Sequence, residues 1–290
     1  MKTKIKLNVG ASPIWNEDDW YKLDHKKSHK SKTILGDAAN IELEDESVDV
    51  IFCSHVIEHI PQIKIEKVFN EFNRILVKGG VLRILSPDME KILNAYSSKD
   101  EKFFRNALSE DPNIRIDLGY GGIVSNWFNS PGQDTILLDR KLENFITGVA
   151  HQYLYDFNML EILLKKAGFS NILKKDFCES EIEELTIPLH VAGLEPKWQN
   201  FNKEFYKENN LIHEYNPISG KYEINFSVKG FDRDPITSLI VECKKEKNIP
   251  FGTPEFDNNN YNVYGFSLLK DSEVRKRLDD LNINYPRLNE

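Results

Sequence analysis

Residues 47–88 read SVDVIFCSHVIEHIPQIKIEKVFNEFNRILVKGGVLRILSPD, with two apolar runs on either side of a helical pattern. Val48–Ser54 and Gly80–Ser86 are nearly continuous in valine, isoleucine, leucine and phenylalanine, as expected for strands buried on both faces of a parallel sheet. Between them, Gln62–Val77 places its apolar residues at mostly helical spacing, and Gly79-Gly80 ends the helix. The segment is therefore predicted to form a β-α-β unit with a right-handed crossover.

Similar apolar runs lie on both sides of this unit. Before it come Ile5–Val9, Trp20–Asp24 and Thr33–Asp37. After it, Asp156 can cap a helix that Gly168 closes, and the runs Asn171–Cys178 and Thr237–Cys243 follow. Strands that alternate with helical patterns predict the α/β class, with an open, mostly parallel sheet and helices on both faces.

The regular pattern is interrupted in three places, which predicts a division of the chain. We expect a core of residues 1–96, 148–178 and 236–245, a cap or lid over 97–147, an insertion over 179–235 and a C-terminal extension over 246–290. The cap carries glycines and prolines among aromatic residues, which is typical of loops. The extension ends in a short amphipathic helix near Glu273–Leu281.

Composition excludes several classes of protein. The 290 residues are 40% hydrophobic and 29% charged, as in globular domains, and the net charge of −8 argues against a nucleic-acid partner. The N-terminal residues lack the apolar region of a signal peptide and no window approaches 18 apolar residues, so we expect a cytoplasmic protein that does not cross a membrane. The three cysteines are far apart and predict buried thiols rather than disulfides or a metal site.

Several predicted strands end at residues suited to binding a ligand: Gly10, Asp24, Asp37 and Ser54-His55. In open α/β sheets ligands bind beyond the carboxyl ends of the strands, so these residues are candidates for binding. Asp24 could accept both hydroxyls of a ribose or simply form a turn, and Asp37 could accept from an adenine amino group or form an Asx turn. A single glycine after the first strand serves a pyrophosphate poorly, which disfavours an NAD-dependent oxidoreductase.

Read together, eight segments resemble the class I S-adenosylmethionine-dependent methyltransferases, in their compact branch. The segments are LNVG (7–10), YKLDH (21–25), GDA (36–38), SVDVIFCSHVIEHI (47–60), EFNRILVKGGVLRILSPD (71–88), HQYLYD (151–156), LLKKAGF (163–169) and SLIVECKK (238–245). The resemblance implies a Rossmann-like fold with a C-terminal antiparallel strand, and S-adenosylmethionine as cofactor.

The resemblance also implies which residues contact the cofactor. Gly10 approaches its methionine portion, Asp24 its ribose, Asp37 and Ala38 its adenine, and Ser54-His55 lie near its sulfur. The full predicted cofactor set is Asn8, Gly10, Ser12, Asp24, Asp37, Ala38, Ser54 and His55. Ser12 departs from the family, because it stands where a second glycine is common; its side chain could narrow the approach or hydrogen-bond the cofactor.

Catalytic and acceptor residues are predicted at the junction between cap and core. His151 is the candidate general base, and its alternative role is to pack with Tyr153 and Tyr155. The candidates for an acceptor pocket are Tyr120, Asn126, Trp127 and Tyr155, although Trp127 suits the core of the cap equally well.

The residues His55-Val56-Ile57-Glu58-His59 also match HxxEH, a zinc-hydrolase motif in which two histidines share one face of a helix. The strand ending at Ser54 and the nearby Pro61 leave little room for that helix. We therefore expect no metal, and interpret Glu58 as an acid of a helix's first turn.

These observations predict a methyltransferase acting on an oxygen or nitrogen of a small-molecule or carbohydrate-like acceptor. The four lysines of Asp24–Lys32 could attract an anionic acceptor such as a nucleotide-linked sugar, or form a solvated loop. A non-catalytic cofactor-binding or scaffold protein of the same fold is the alternative, motivated by Ser12 and the uncertain base.

Overall fold

The computed structural model describes residues 5–11, 15, 17–24, 32–107, 118–129, 151–191, 196–198, 200, 204, 212–216, 221–224 and 230–248. The predictions for several parts of the chain lie outside these residues: Ser12, residues 25–31, the parts of the cap at 108–117 and 130–147, much of the insertion, and the extension after residue 248 with its helix near Glu273–Leu281.

Eleven strands are formed by the described residues: β1 (Ile5–Val9), β2 (Trp20–Asp24), β3 (Lys32–Leu35), β4 (Val48–Ser54), β5 (Leu76–Pro87), β6 (Phe169–Lys174), β7 (Pro188–His190), β8 (Ile212–Asn216), β9 (Lys221–Ile224), β10 (Asp232–Arg233) and β11 (Ser238–Lys245). The α-helices are α1 (Gln62–Ile75), α2 (Met89–Ser98), α3 (Glu101–Ala107), α4 (Gly119–Asn129) and α5 (Phe157–Lys166). Two 3₁₀ turns cover Ile57–His59 and Glu183–Thr186.

Seven strands form one sheet in the order β3-β2-β1-β4-β5-β11-β6. β1 to β5 pair in parallel, whereas β11 runs antiparallel to both β5 and β6. The predicted fold class, a Rossmann-like open sheet with a C-terminal antiparallel strand, is therefore confirmed. The chain reverses its direction of winding between β1 and β4, which is where such sheets bind ligands.

Alternate residues of the central strands build two separate cores, as the two-residue period of a strand requires. On one face Leu7, Ile51 and Leu82 pack with the apolar stripes of α1 and α5. On the other face the sheet packs against a cluster of aromatic rings, in which Phe231 lies 4.6 Å from Trp20 and 5.1 Å from Phe52, centroid to centroid.

The end of α1 fixes the loop between β3 and β4. Arg74 donates to the carbonyl oxygens of Ile41 (2.9 Å) and Leu43 (2.8 Å), and it pairs with Glu71 (2.8 Å). Glu71 in turn accepts from the Ile41 amide at 2.9 Å. Because this loop also carries Asp37, the helix positions a predicted cofactor residue.

The cap is more helical than we expected from its glycines. Within the predicted cap, Glu101–Ala107 forms α3 and Gly119–Asn129 forms α4. Tyr120, Ile123 and Trp127 lie on one face of α4 and pack with Phe104, whose ring stacks on that of Tyr120 at 4.3 Å. The expectation of loops there was wrong, since burial of this apolar face outweighs the low helix propensity of glycine.

A buried ion network joins the sheet to the region after β6. Arg83, fully buried in β5, binds Asp232 through two hydrogen bonds of 2.9 and 2.5 Å and Glu242 at 3.0 Å. Asp232 also accepts from the Cys178 amide at 2.8 Å. Residues within the predicted insertion are thereby fastened to the core.

Cys53 and Cys243 are buried free thiols, as predicted, whereas Cys178 is half-buried. Burial raises the pKa of Cys178 to about 12, so its thiol stays protonated at neutral pH. Among the described helices, none combines the length and apolar character that a membrane span needs.

Candidate cofactor and acceptor site

The strand register brings three of the predicted residues to one edge of the sheet. Val9 at the end of β1 pairs with Leu23 of β2 and with Cys53 of β4. Gly10 follows Val9, Asp24 follows Leu23 and Ser54 follows Cys53. The three therefore lie side by side at the carboxyl edge, next to the reversal in winding.

Gly10 occupies a position that excludes a side chain. Its φ of +70° lies in the left-handed region, and its N–H donates to the Leu23 carbonyl at 2.9 Å. A Cβ added there would lie 2.4 Å from Cγ2 of Val56. The loop after β1 and the segment after β4 consequently meet at van der Waals contact, which only glycine permits.

The structure gives Asp24 and Asp37 different hydrogen bonds. The Asp24 carbonyl accepts from the Gly36 amide at 3.3 Å, which joins the ends of β2 and β3. The Asp37 carboxylate accepts from the Ala39 amide at 2.8 Å and lies 3.8 Å from the Lys64 ammonium, so the Asx turn is formed. Asp37 and Ala38 thus lie in a turn beyond β3, adjacent to the edge that carries Asp24.

Ser54 and His55 form a strained end to β4. His55 has a φ of +52°, which is uncommon for a residue with a side chain and places it among conformations enriched at functional sites. Its Nε2 lies 3.0 Å from Ser238 Oγ and its Nδ1 3.2 Å from Glu58 Oε1. The Ser54 hydroxyl is buried and has no hydrogen-bond partner among the described residues.

Glu58, His59 and His151 form a cluster beside this strand end. The His59 and His151 rings lie 4.9 Å apart, and His59 Nε2 lies 3.9 Å from Glu58 Oε1. Two backbone hydrogen bonds hold the cluster together, because the amides of Gln152 (2.6 Å) and Tyr153 (3.2 Å) both donate to the Glu58 carbonyl. The predicted catalytic histidine therefore lies next to the segment that follows β4.

The surroundings of His151 determine its protonation. Burial lowers its pKa below the ordinary value, and the Glu58 carboxylate opposes this only in part. Its Nδ1 lies 2.5 Å from the Trp127 carbonyl oxygen, which can only accept, so Nδ1 carries the proton of the neutral ring. Nε2 then carries a lone pair that can accept a proton or bind a cation.

The predicted acceptor residues are distributed over two places. Tyr120 and Trp127 contribute their rings to the core of the cap with Phe104, and half-buried Asn126 lies beside Trp127 in α4. Tyr155 belongs to the main core: it is fully buried, and its hydroxyl has no hydrogen-bond partner among the described residues. Trp127 reaches the candidate site through its backbone carbonyl.

The HxxEH segment does not form the helix that a zinc hydrolase needs. Ile57–His59 is a single 3₁₀ turn, and His55 precedes it in a left-handed conformation, so the two histidines share no helix face. Glu58 lies in the first turn of this short 3₁₀ helix, as we interpreted it, but its side chain is fully buried, which we did not expect. The flanking apolar residues Ile57 and Ile60 are the sequence signal that could have indicated this burial.

Asn8 is the penultimate residue of β1 and is buried within the strand rather than beyond its end. It lies on the opposite face from Leu7 and Val9, which pack in the core with α1. Its place among the cofactor residues stays a prediction.

Residues 16–84 match the family model described as "Methyltransferase domain". This segment belongs to the methyltransferase domain family. This match agrees with the resemblance to methyltransferases that the sequence shows. The match includes Asp24, Asp37 and the whole His55–His59 segment, whereas Gly10 and His151 lie outside it.

Solved structures that the chain resembles carry related descriptions. A SAM-dependent methyltransferase from Archaeoglobus fulgidus is 15% identical, with 84% of this chain and 87% of that chain covered and a TM-score of 0.39. A possible histamine N-methyltransferase from Thermotoga maritima is 16% identical, with 84% and 82% covered and a TM-score of 0.38. Phosphoethanolamine N-methyltransferase 2 of Haemonchus contortus is 12% identical, with 85% and 50% covered and a TM-score of 0.39. No curated protein sequence matches the chain significantly.

Proposed function

We propose that this methyltransferase transfers the methyl group of S-adenosylmethionine to an oxygen or nitrogen of a small-molecule or carbohydrate-like acceptor. One observation carries the cofactor part of the proposal: Gly10, Asp24 and Ser54 end three adjacent parallel strands at the reversal in winding. Asp24 supplies an acceptor pair for the ribose hydroxyls, and Gly10 lets the cofactor approach the backbone.

For methyl transfer, the main contribution of the protein is to position the methyl donor and the acceptor. Methyl transfer from a sulfonium is an in-line displacement with a good leaving group, so holding donor and acceptor in line supplies much of the acceleration. A hydroxyl acceptor must in addition lose its proton. In this proposal His151 is the group that faces the acceptor, and the contact between its Nδ1 and the Trp127 carbonyl of α4 supports that position.

The division of the chain complements this assignment. We propose that residues 97–147 cover the acceptor and that residues 179–235 and 246–290 are additions to the catalytic core. The contact between Trp127 in the cap and His151 in the core supports the first part, because it joins the cap to the candidate site.

Isothermal titration with S-adenosylmethionine and S-adenosylhomocysteine tests the proposal. We expect both to bind with one site per chain, and Asp24→Asn to weaken both by about tenfold to a hundredfold, as loss of a charged hydrogen-bond acceptor does. Asp19→Asn is the matched control, because Asp19 lies in the exposed turn before β2 and should leave both affinities unchanged.

Failure of the wild-type chain to bind either compound would contradict the proposal. Turnover is measured as S-adenosylhomocysteine release with a panel of hydroxylated and amino-bearing acceptors, including nucleotide-linked sugars. Binding without release across that panel would instead favour a non-catalytic protein of the same fold.

A further inference from the structure

We propose that Glu58, His59 and His151 hold a divalent transition-metal ion that binds the hydroxyl group of the acceptor. The inference rests on the proposed methyltransferase function and narrows its acceptor to one with a hydroxyl group. It differs from the zinc-hydrolase motif, in which the glutamate activates water instead of binding the metal.

The donor atoms are gathered closely enough for one ion. Each of the three side chains offers one ligand atom, and these atoms all lie within 4.8 Å of one another. Ligands about 2.1 Å from a tetrahedral ion lie roughly 3.4 Å apart, so small side-chain movements close the site. Two imidazoles and one carboxylate suit a divalent first-row transition metal and leave coordination positions open.

A second observation comes from the Glu58 carboxylate. The side chain is fully buried, and neither of its oxygens accepts a hydrogen bond from a described residue. The His55 ring lies beside it, with 3.2 Å between Nδ1 and Oε1. A buried carboxylate without hydrogen bonds is costly unless it is paired or coordinates a metal, and a divalent cation would satisfy both oxygens.

The backbone around the cluster orients its members. The Gln152 and Tyr153 amides bind the Glu58 carbonyl, which holds His151 beside Glu58. The Trp127 carbonyl accepts from Nδ1 of His151 and leaves Nε2 for the ion. A carbonyl partner on the far nitrogen is the usual way in which proteins orient a histidine ligand.

The ion would change the reaction at one point, the acceptor oxygen. A hydroxyl bound to the cation releases its proton to solvent more readily. The oxygen lone pair then forms a bond to the methyl carbon while the carbon–sulfur bond breaks. The electron pair of that bond stays on sulfur, which becomes the neutral thioether of S-adenosylhomocysteine. The metal keeps its oxidation state, and one proton leaves for each methyl group transferred.

Metal titration of the full chain, after treatment with a chelator, tests the inference. We expect about one equivalent of Zn²⁺ by calorimetry and a visible absorption spectrum with Co²⁺. Glu58→Gln and His151→Gln should each weaken binding more than about 100-fold, since loss of even an outer-shell partner costs about 10–100-fold. Glu66→Gln, on the exposed face of α1, removes a carboxylate outside the cluster and should retain binding. Equal affinity in all variants would overturn the inference.

Two further measurements separate the possible failures. Each variant is titrated with S-adenosylhomocysteine: retained binding shows that it is folded, and a chain that binds this compound but no metal overturns the inference alone. Absence of cofactor binding overturns the proposed function, whatever the metal does. Acetohydroxamate, an oxygen-donor probe, should alter the Co²⁺ spectrum through the open positions, and an unchanged spectrum would refute binding of the acceptor hydroxyl.

Discussion

Substitution of Gly10 by alanine should damage both stability and cofactor binding. The φ of +70° costs a residue with a side chain about 1–2 kcal/mol. The new Cβ would also lie 2.4 Å from Val56 Cγ2, and relief of such overpacking costs typically about 1–3 kcal/mol. The free energy of unfolding should therefore fall by about 2–5 kcal/mol. Because Val56 adjoins His55, its displacement should also weaken binding of S-adenosylhomocysteine.

Gly79 provides the matched control. Its φ is +77°, but a Cβ there meets nothing within 4 Å, so Gly79→Ala introduces the backbone strain without the clash. In urea denaturation it should cost only about 1–2 kcal/mol and leave cofactor affinity unchanged. Val56→Ala removes the clashing methyl group, so the double variant with Gly10→Ala should recover about 1–3 kcal/mol relative to additive effects. Equal costs for Gly10→Ala and Gly79→Ala, or additivity in the double variant, would refute the reasoning.

Two further predictions concern the ion pairs. Arg83→Met should lower the free energy of unfolding by about 3–5 kcal/mol, because Asp232 and Glu242 stay buried without their cation. Replacing all three residues by apolar ones should recover most of the loss in urea denaturation. Burial raises the pKa of Glu71, but hydrogen bonds led by that from Arg74 outweigh burial and hold the pKa below its ordinary value. This stabilisation is present above the unfolded-state pKa of about 4.3 and lost as pH falls through the folded pKa, so Glu71→Gln should flatten the acid side of the curve of stability against pH.

Each of these two predictions can be contradicted by a specific result. If Arg83→Met unfolds at the same urea concentration as wild type, the buried network contributes nothing that apolar packing does not. If the stability of Glu71→Gln falls between about pH 6 and pH 3 as steeply as that of wild type, the acid sensitivity comes from other carboxylates.

The sheet could be predicted from the sequence because burial on both faces leaves a clear pattern. Ile5–Val9, Trp20–Asp24 and Val48–Ser54 were predicted with the bounds that the structure has. The end of α1 was less accurate, since the helix stops at Ile75 and β5 already begins at Leu76, ahead of the glycines. A strand paired on both sides gains backbone hydrogen bonds there that local glycine preference does not indicate.

The cap was harder to predict because two signals conflicted. Three glycines suggested loops, whereas the spacing of Tyr120, Ile123, Val124 and Trp127 is that of one helix face. In the structure the helical spacing prevails, because these side chains pack in one cluster with Phe104. The packing partner lies on another helix, so the stabilisation it supplies cannot be judged from the local sequence.

Residues Ser54–Glu58 contain three energetically unfavourable features within five residues, and their clustering is evidence for a binding site. Ser54 has a buried hydroxyl without a partner among the described residues, and His55 has a positive φ. Glu58 is a buried carboxylate that lies beside the His55 ring but accepts no hydrogen bond from a described residue. Each such departure costs about 1–3 kcal/mol. The sheet offsets these costs, since the His55 amide binds the Leu85 carbonyl at 2.8 Å. A purely structural segment gains nothing from three such departures, whereas a ligand that binds here would satisfy the Ser54 hydroxyl and the Glu58 carboxylate, which lack hydrogen bonds from the described residues.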